Sequence, residues 1–183
     1  MPSLTSTSKF LALILRHKPQ VVGITLDKNG WANIDDLLIA MNKQEHLIDK
    51  QLLDRIVATD DKKRYEYDST GTKIRASQGH SLKDVDLQLE PKTPPDKLYH
   101  GTATRFLAAI MTGGLLPQNR QYVHFSSDVN TAIKVGQRHG EPVILIIDTK
   151  KMYEDGYMFY LSNNGIWLTK KVPREYIRIV ELS

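Results

Sequence analysis

Residues 90–97 contain Pro91, Pro94 and Pro95, and this is the strongest interruption of regular structure in the chain. Proline has no backbone N–H and a fixed φ, so the segment can continue neither a helix nor a central strand. We therefore predict a boundary here between two domains, one over residues 1–90 and the other over residues 91–183.

The composition is that of a globular protein with a hydrophobic core. The chain has 183 residues, of which 40% are hydrophobic and 25% are charged. No apolar run approaches the roughly 18 residues of a membrane span, and the N-terminus lacks the order of a secretory signal. We expect a cytoplasmic protein with no membrane partner, acting as a monomer.

The residue types restrict the chemistry that the chain can perform. Cysteine is absent, which excludes disulfides, thiolate nucleophiles and Cys-ligated zinc. Histidine pairs at metal-binding spacing are also missing, so we predict no metal site. The net charge of +4 and the pI near 9.2 favour a nucleic-acid or phosphate partner. Cationic side chains are therefore expected to carry any reaction.

The first domain combines helices with a β-hairpin. Apolar periodicity, caps and turn residues predict helices over residues 7–15, 34–41 and 49–59, a strand over 22–26, a tight turn at 27–30, and hairpin strands over 64–67 and 73–76. Helices followed by a hairpin favour a winged-helix lobe.

The second domain becomes richer in strands toward its end. We predict strands over residues 98–100, 122–125, 142–147, 159–161, 166–168 and 177–182, with helices over 104–111 and 129–138. The whole chain is therefore expected to be α+β, with an antiparallel sheet in the second domain.

Two basic pairs in the first domain each have a structural and a functional interpretation. Arg16 and His17 follow the first apolar stripe, where cations stabilise a helix C-terminus, but where guanidinium and imidazole can also bind a phosphate. Lys62 and Arg64 belong to a mixed-charge run that is usually a solvated loop. Strand alternation would place both on one face, toward the same phosphate.

Glycine-containing loops mark two further candidate sites. The glycine between Gln78 and His80 allows close approach of a nucleic-acid backbone, although loop punctuation explains it equally well. His100, Gly101 and Thr102 lie where a strand enters a helix, a position suited to a dinucleotide. No Gly-x-Gly-x-x-Gly fingerprint is present, so this motif is a weak indication by itself.

Taken together, the segments resemble the tRNA 2′-phosphotransferase family over nearly the whole chain. The matching stretches are Leu15-Arg16-His17-Lys18-Pro19, Asp27-Lys28-Asn29-Gly30-Trp31, Lys62-Lys63-Arg64-Tyr65, Ile74-Arg75-Ala76-Ser77-Gln78-Gly79-His80-Ser81, Tyr99-His100-Gly101-Thr102, Arg120 with Val123-His124-Phe125-Ser126, Val135-Gly136-Gln137-Arg138-His139-Gly140, and Asn164-Gly165-Ile166-Trp167-Leu168-Thr169.

The resemblance implies a winged-helix RNA-binding lobe, an ADP-ribosyltransferase-like lobe that binds NAD⁺, and a role in tRNA splicing. Its catalytic Arg-His-Arg-Arg set corresponds to Arg16, His17, Arg64 and Arg120. It further implies that Lys62, Gln78 and His80 contact the RNA. The residues expected to bind NAD⁺ are His100, Gly101, Thr102, His124 and Ser126.

The implied reaction consumes NAD⁺ as a co-substrate and removes an internal 2′-phosphate from RNA in two steps. The products are RNA with a free 2′-OH, ADP-ribose 1″,2″-cyclic phosphate and nicotinamide. One alternative is an ADP-ribosyltransferase that modifies nucleic-acid phosphates and stops after the first step. Another is a non-enzymatic winged-helix regulator that senses NAD⁺.

Overall fold

The computed structural model describes residues 3–181. Its contacts divide the chain into two compact units, Met1–Gln88 and Leu89–Ser183, and the boundary predicted from the prolines lies two residues after this division. Both units combine helices with small antiparallel sheets. The α+β class is therefore confirmed, whereas the winged-helix and ADP-ribosyltransferase-like assignments stay predictions.

Three helices of the first unit begin at side-chain caps, and these caps set the helix bounds. The cap residues are Ser3, Asn33 and Asp49, and each side chain accepts a hydrogen bond from the backbone N–H three residues later. The helices are α1 (Leu4–Arg16), α2 (Ile34–Lys43) and α3 (Lys50–Thr59). All three predicted helices are confirmed, and α1 begins three residues earlier than predicted.

A three-stranded antiparallel sheet completes the first unit. Its strands are β1 (Ala32–Asn33), β2 (Tyr65–Tyr67) and β3 (Lys73–Ala76), with β3 in the centre. The predicted hairpin is therefore confirmed. Its turn is held by the Asp68 carboxylate, which accepts hydrogen bonds from the backbone N–H groups of Thr72 and Lys73.

The strand predicted over residues 22–26 is wrong. Pro19–Val21 form a 3-10 turn, and the following N–H groups of Val22, Gly23 and Ile24 donate to carbonyls of that turn. Gly23 has φ = 76°, a left-handed conformation that ends the turn. The apolar run thus satisfies its backbone locally, and the short strand β1 pairs with β3 instead.

The core of the first unit lies between the helices and the sheet. Fully buried side chains come from the three helices and the central strand: Leu11, Ile14 and Leu15 of α1, Leu37 and Met41 of α2, Leu53 of α3, and Ile74 of β3. Burial of the inner face of α1 brings its last residue, Arg16, to the edge of this core.

The second unit contains two three-stranded antiparallel sheets. One has the order β4-β6-β9, with β4 at Lys97–Ala103, β6 at Pro142–Asp148 and β9 at Ile177–Val180. The other has the order β5-β8-β7, with β5 at Val123–His124, β7 at Phe159–Leu161 and β8 at Trp167–Thr169. The last residue of the predicted strand 177–182 lies outside the described residues.

Three helices accompany these sheets: α4 (Thr104–Gly113), α5 (Val129–Gln137) and α6 (Thr149–Glu154). Helix α6 was not predicted because it is only six residues long and follows β6 directly, with Asp148 as its cap. No helix within residues 3–181 is long and apolar enough to cross a membrane.

Candidate functional site

Arg16 and His17 stand at the C-terminal end of α1. Arg16 is the last helical residue, and the backbone N–H of His17 caps the helix by donating to the Leu13 carbonyl at 3.0 Å. Both side chains are partly exposed. The end of α1 therefore carries a guanidinium and an imidazole next to each other, as the sequence predicted.

Lys62 and Arg64 lie in a turn between α3 and β2. Strand β2 begins at Tyr65, and Lys63 has φ = 45°, so strand alternation does not orient this pair. The predicted placement of Lys62 and Arg64 on one face of a strand is therefore wrong. The turn is held instead by Asp60, whose carboxylate accepts a hydrogen bond from the Arg64 backbone N–H at 2.6 Å and forms an ion pair with the Arg64 guanidinium.

A groove in the first unit brings three of the predicted cations together. It has a volume of about 460 Å³, within the range of small-molecule sites, and lies between the outer face of α1 and the turn after α3. Arg16, Lys62 and Arg64 line it, together with Lys9 of α1. His17 is adjacent to Arg16 in sequence but does not line this groove.

The loop formed by residues 77–81 connects these two groups of cations. The Ser77 N–H donates to the Arg64 carbonyl at 2.8 Å, and the Ser81 N–H donates to the Arg16 carbonyl at 3.0 Å. Between them, Gly79 has φ = 92°, and a Cβ there would lie 3.3 Å from Nε of Arg16. The glycine therefore allows the loop to pass directly beside the guanidinium.

His80 points into the first unit, where its side chain is only 1% exposed. Neither ring nitrogen has a hydrogen-bond partner among the described residues. Burial, together with the positive charges of Arg16, His17 and Arg75, lowers the pKa of His80 to about 4. RNA contact by His80 stays a prediction. The structure gives this side chain a packing position. Gln78 is half-buried in the same loop.

In the second unit, His100, Arg120 and His124 form a hydrogen-bonded cluster. Nδ1 of His100 lies 2.9 Å from the His124 carbonyl, which can only accept, so Nδ1 carries the proton. The Arg120 guanidinium lies 3.4 Å from Nδ1 of His124 and is the donor, so that nitrogen accepts. This contact is at the long end of hydrogen-bond geometry.

Burial tunes the charges of this cluster. It lowers the pKa of His100, with the charges of His139 and Arg120 acting in the same direction and the bond to the His124 carbonyl opposing them. Neutral His100 therefore presents Nε2 as a hydrogen-bond acceptor, the role needed to bind a ribose hydroxyl.

Gly101 and Thr102 lie on opposite faces of β4. A Cβ at Gly101 would lie 1.8 Å from the Ala132 carbonyl of α5, so close packing of this helix accounts for the glycine. Thr102 is 6% exposed and Ser126 is 8% exposed. Ser126 pairs through its backbone with Tyr99, which places the strand-like segment after β5 beside β4. Contact of these residues with NAD⁺ stays a prediction.

The model of the RNA 2′-phosphotransferase family, Tpt1/KptA, matches residues 2–171 of the chain. The chain belongs to this family. Among RNA 2′-phosphotransferase relatives, a "Probable RNA 2'-phosphotransferase" from Hahella chejuensis is 53% identical over 180 residues, covering 98% of this chain and 96% of the relative. A protein of the same name from Acaryochloris marina is 51% identical over 178 residues, covering 97% and 98%. Another from Escherichia coli O6 is 51% identical over 174 residues, covering 95% of each.

Two polar residues that contact the predicted site residues of this family member were not identified from the sequence. Asp60 holds Arg64, and the Ser81 hydroxyl lies 2.9 Å from Nδ1 of His17. The spacing of Asp60 and Arg64 after a helix was a usable signal for the first contact. The second joins residues 64 positions apart, and Ser81 was visible only as part of a family motif. No group of potential metal ligands occurs within residues 3–181.

Proposed function

We propose that this chain is an NAD⁺-dependent RNA 2′-phosphotransferase. The observation that carries the proposal is the groove lined by Arg16, Lys62 and Arg64, in a chain whose family is the RNA 2′-phosphotransferases. We further propose that the first unit is a winged-helix lobe that binds RNA and that the second is an ADP-ribosyltransferase-like lobe that binds NAD⁺.

In the first step, an oxygen of the RNA 2′-phosphate attacks C1″ of the nicotinamide ribose. The glycosidic C–N bond breaks, and nicotinamide leaves with the bonding electron pair as a neutral molecule. A phosphate is already anionic, so the step requires no general base. It requires a desolvated and correctly aimed nucleophile, which fixed guanidinium groups supply.

In the second step, the ribose 2″-hydroxyl attacks phosphorus of the 2′-phospho-ADP-ribosylated RNA. The 2″-hydroxyl gives up its proton as the new P–O bond forms, and the P–O bond to the RNA breaks. The RNA 2′-oxygen takes up a proton, and ADP-ribose 1″,2″-cyclic phosphate is released. Negative charge spreads over the phosphoryl oxygens in this step. Guanidinium binds two such oxygens at once, which suits Arg16 and Arg64 of the groove to this charge.

The residues of the first unit are assigned to the phosphate. Arg16 and Arg64 bind its oxygens from the groove, His17 adds a donor at the end of α1, and Lys62 assists the second step. His17 is also proposed to protonate the departing RNA 2′-oxygen, because imidazole is the side chain best suited to proton transfer near neutral pH.

The cluster of the second unit is assigned to NAD⁺. Nε2 of neutral His100 is free to accept a hydrogen bond from a ribose hydroxyl, because Nδ1 donates to the His124 carbonyl. Arg120, held next to His124, is proposed to bind phosphate oxygens. Thr102 and Ser126 supply hydroxyl groups nearby in the fold. These assignments fit the ribose and pyrophosphate groups of NAD⁺ and require no metal.

The test is incubation with an oligonucleotide that carries one internal 2′-phosphate, with and without NAD⁺, followed by separation of RNA and small-molecule products. We expect NAD⁺-dependent loss of the 2′-phosphate together with ADP-ribose 1″,2″-cyclic phosphate. A stable RNA–ADP-ribose product would indicate an ADP-ribosyltransferase. Salt-sensitive RNA binding without release of nicotinamide would indicate a non-enzymatic regulator.

A further inference from the structure

The 77–81 loop is bonded to both cationic segments of the first unit through a pair of serines. Ser77 reaches the turn after α3: its N–H donates to the Arg64 carbonyl, and its hydroxyl donates to the Lys63 carbonyl at 3.0 Å. Ser81 reaches the end of α1, where its N–H donates to the Arg16 carbonyl. The loop therefore ties together two segments that are far apart in sequence.

Only Ser81 also contacts a side chain assigned to the reaction. Its Oγ lies 2.9 Å from Nδ1 of His17, and the backbone bond to Arg16 holds the Ser81 backbone beside the end of α1. Within residues 3–181, the hydrogen bonds donated by Ser77 end at backbone carbonyls. The two serines thus differ in one respect that experiment can isolate.

The chemistry of this contact selects one form of the His17 ring. Nδ1 of His17 is the only acceptor that the described part of the chain places within hydrogen-bonding distance of the Ser81 hydroxyl. The Ser81 hydroxyl makes this hydrogen bond as the donor when Nδ1 of His17 accepts. The proton of the neutral imidazole then lies on Nε2. When His17 is cationic, Nδ1–H donates to the same oxygen instead. In both states Nε2 carries a proton and points away from Ser81.

We propose that Ser81 is a positioning residue, which holds His17 in the Nε2–H tautomer so that this nitrogen can donate to an RNA phosphate. The proposal rests on the proposed function, because it assigns the donor that the 2′-phosphate would meet. Ser81 itself contacts no substrate in this scheme. It acts through His17. Many catalytic histidines are oriented in this way by a residue that hydrogen-bonds to the ring.

The direct test is the tautomer of His17, read from the ¹⁵N chemical shifts of the imidazole at high pH in the full chain. A His17→Gln variant identifies the signals. We expect the Nε2–H form to dominate in the wild type, and Ser81→Ala to give a mixture of tautomers. Ser77→Ala is the matched control and should leave the His17 signals unchanged. A His17 tautomer that is the same in Ser81→Ala and wild type would overturn the proposal.

A double-mutant cycle then tests whether Ser81 acts through His17 during turnover. Loss of one hydrogen bond predicts that Ser81→Ala lowers the rate of 2′-phosphate removal by about 3- to 10-fold, and that Ser81→Thr restores it. In the His17→Ala background, Ser81→Ala should have no further effect. A further loss of equal size there would show an independent role for Ser81 and contradict the inference.

The two proposals can fail separately. If the wild type shows no NAD⁺-dependent turnover, the proposed function fails, whereas the tautomer measurement still decides how Ser81 affects His17. If turnover occurs and the tautomer does not depend on Ser81, the proposed function stands and the positioning role is refuted.

Discussion

The Asp60 carboxylate binds Arg64 twice, through the backbone N–H at 2.6 Å and through an ion pair with the guanidinium. The Asp60 side chain is 5% exposed, so the pair is shielded from solvent on that side. Removing one partner of such a pair leaves the other without compensation, and this usually costs more than the loss of an exposed salt bridge.

We therefore predict that Asp60→Ala lowers the free energy of unfolding of the first unit by about 1–3 kcal/mol and slows the second step, since Arg64 is no longer oriented. Asp61→Ala is the control because Asp61 is the exposed neighbour in the same turn. It should change stability by less than about 0.5 kcal/mol. Urea unfolding of both variants checks this, and equal losses would argue against a structural role of the buried pair.

Arg64→Ala and Arg120→Ala are expected to affect different steps. Arg64→Ala should let the 2′-phospho-ADP-ribosylated RNA accumulate, because loss of one donor to a developing charge slows a step by about 10²–10³-fold. Arg120→Ala should block both steps, because Arg120 is assigned to NAD⁺. Single-turnover assays that resolve the three RNA species measure this directly.

Arg178→Ala serves as the control for both arginine variants, since this arginine is exposed on β9. It should retain wild-type rates. The assignment of Arg64 to the second step would be refuted if both steps slowed by the same factor in Arg64→Ala.

Acidification should destabilise the first unit through His80. The pKa of His80 is about 4 in the folded protein and about 6.5 in the unfolded chain, so the unfolded state binds more protons between these values. Stability conferred by neutral His80 is complete above pH 6.5 and is lost as the pH falls toward 4. The expected loss is about 3 kcal/mol over this window.

The measurement is urea unfolding at pH 7.5 and pH 4.5, followed by Trp31 fluorescence in a Trp167→Phe background so that only the first unit is observed. In His80→Asn, the difference in the free energy of unfolding between pH 7.5 and pH 4.5 should shrink by most of that amount. His139→Asn, which removes an exposed histidine, should leave the difference unchanged. An undiminished pH dependence in His80→Asn would assign the acid sensitivity to other groups.

Gly101→Ala should strongly destabilise the second unit. The added Cβ would lie 1.8 Å from the Ala132 carbonyl, and because this atom is backbone, helix α5 would have to move. We expect a loss of about 3 kcal/mol, at the upper end of the cost of overpacking. Trp167 fluorescence in a Trp31→Phe background reports on this unit alone.

Gly113→Ala is the matched glycine variant, because nothing lies within 4 Å of the Cβ it would add. It should change the stability of the second unit by less than about 1 kcal/mol. Equal stability of the two alanine variants would contradict the packing role assigned to Gly101.

The local sequence determined much of the secondary structure. Asn33 was recognisable as the start of a helix, and the glycine-containing turn predicted the hairpin of β2 and β3, because these interactions involve residues at most a few positions apart. The strand predicted over residues 22–26 is wrong because hydrophobic character alone does not decide how a backbone is hydrogen-bonded. The hydrophobic character of this segment suits a strand, but the N–H groups of residues 22–24 donate to the carbonyls of Pro19 and Gln20, and the strand position beside β3 is taken by β1.

The sequence also determined the chemical character of the site. The absence of cysteine and the number of cationic motifs favoured phosphate chemistry, and the motif order indicated the family. Only the tertiary structure decided which groups act together. Ser81 and His17 meet across 64 residues, and Gly101 is required by a helix more than 30 residues away. Such contacts depend on how buried elements pack, and residue type and spacing along the chain do not encode that packing locally.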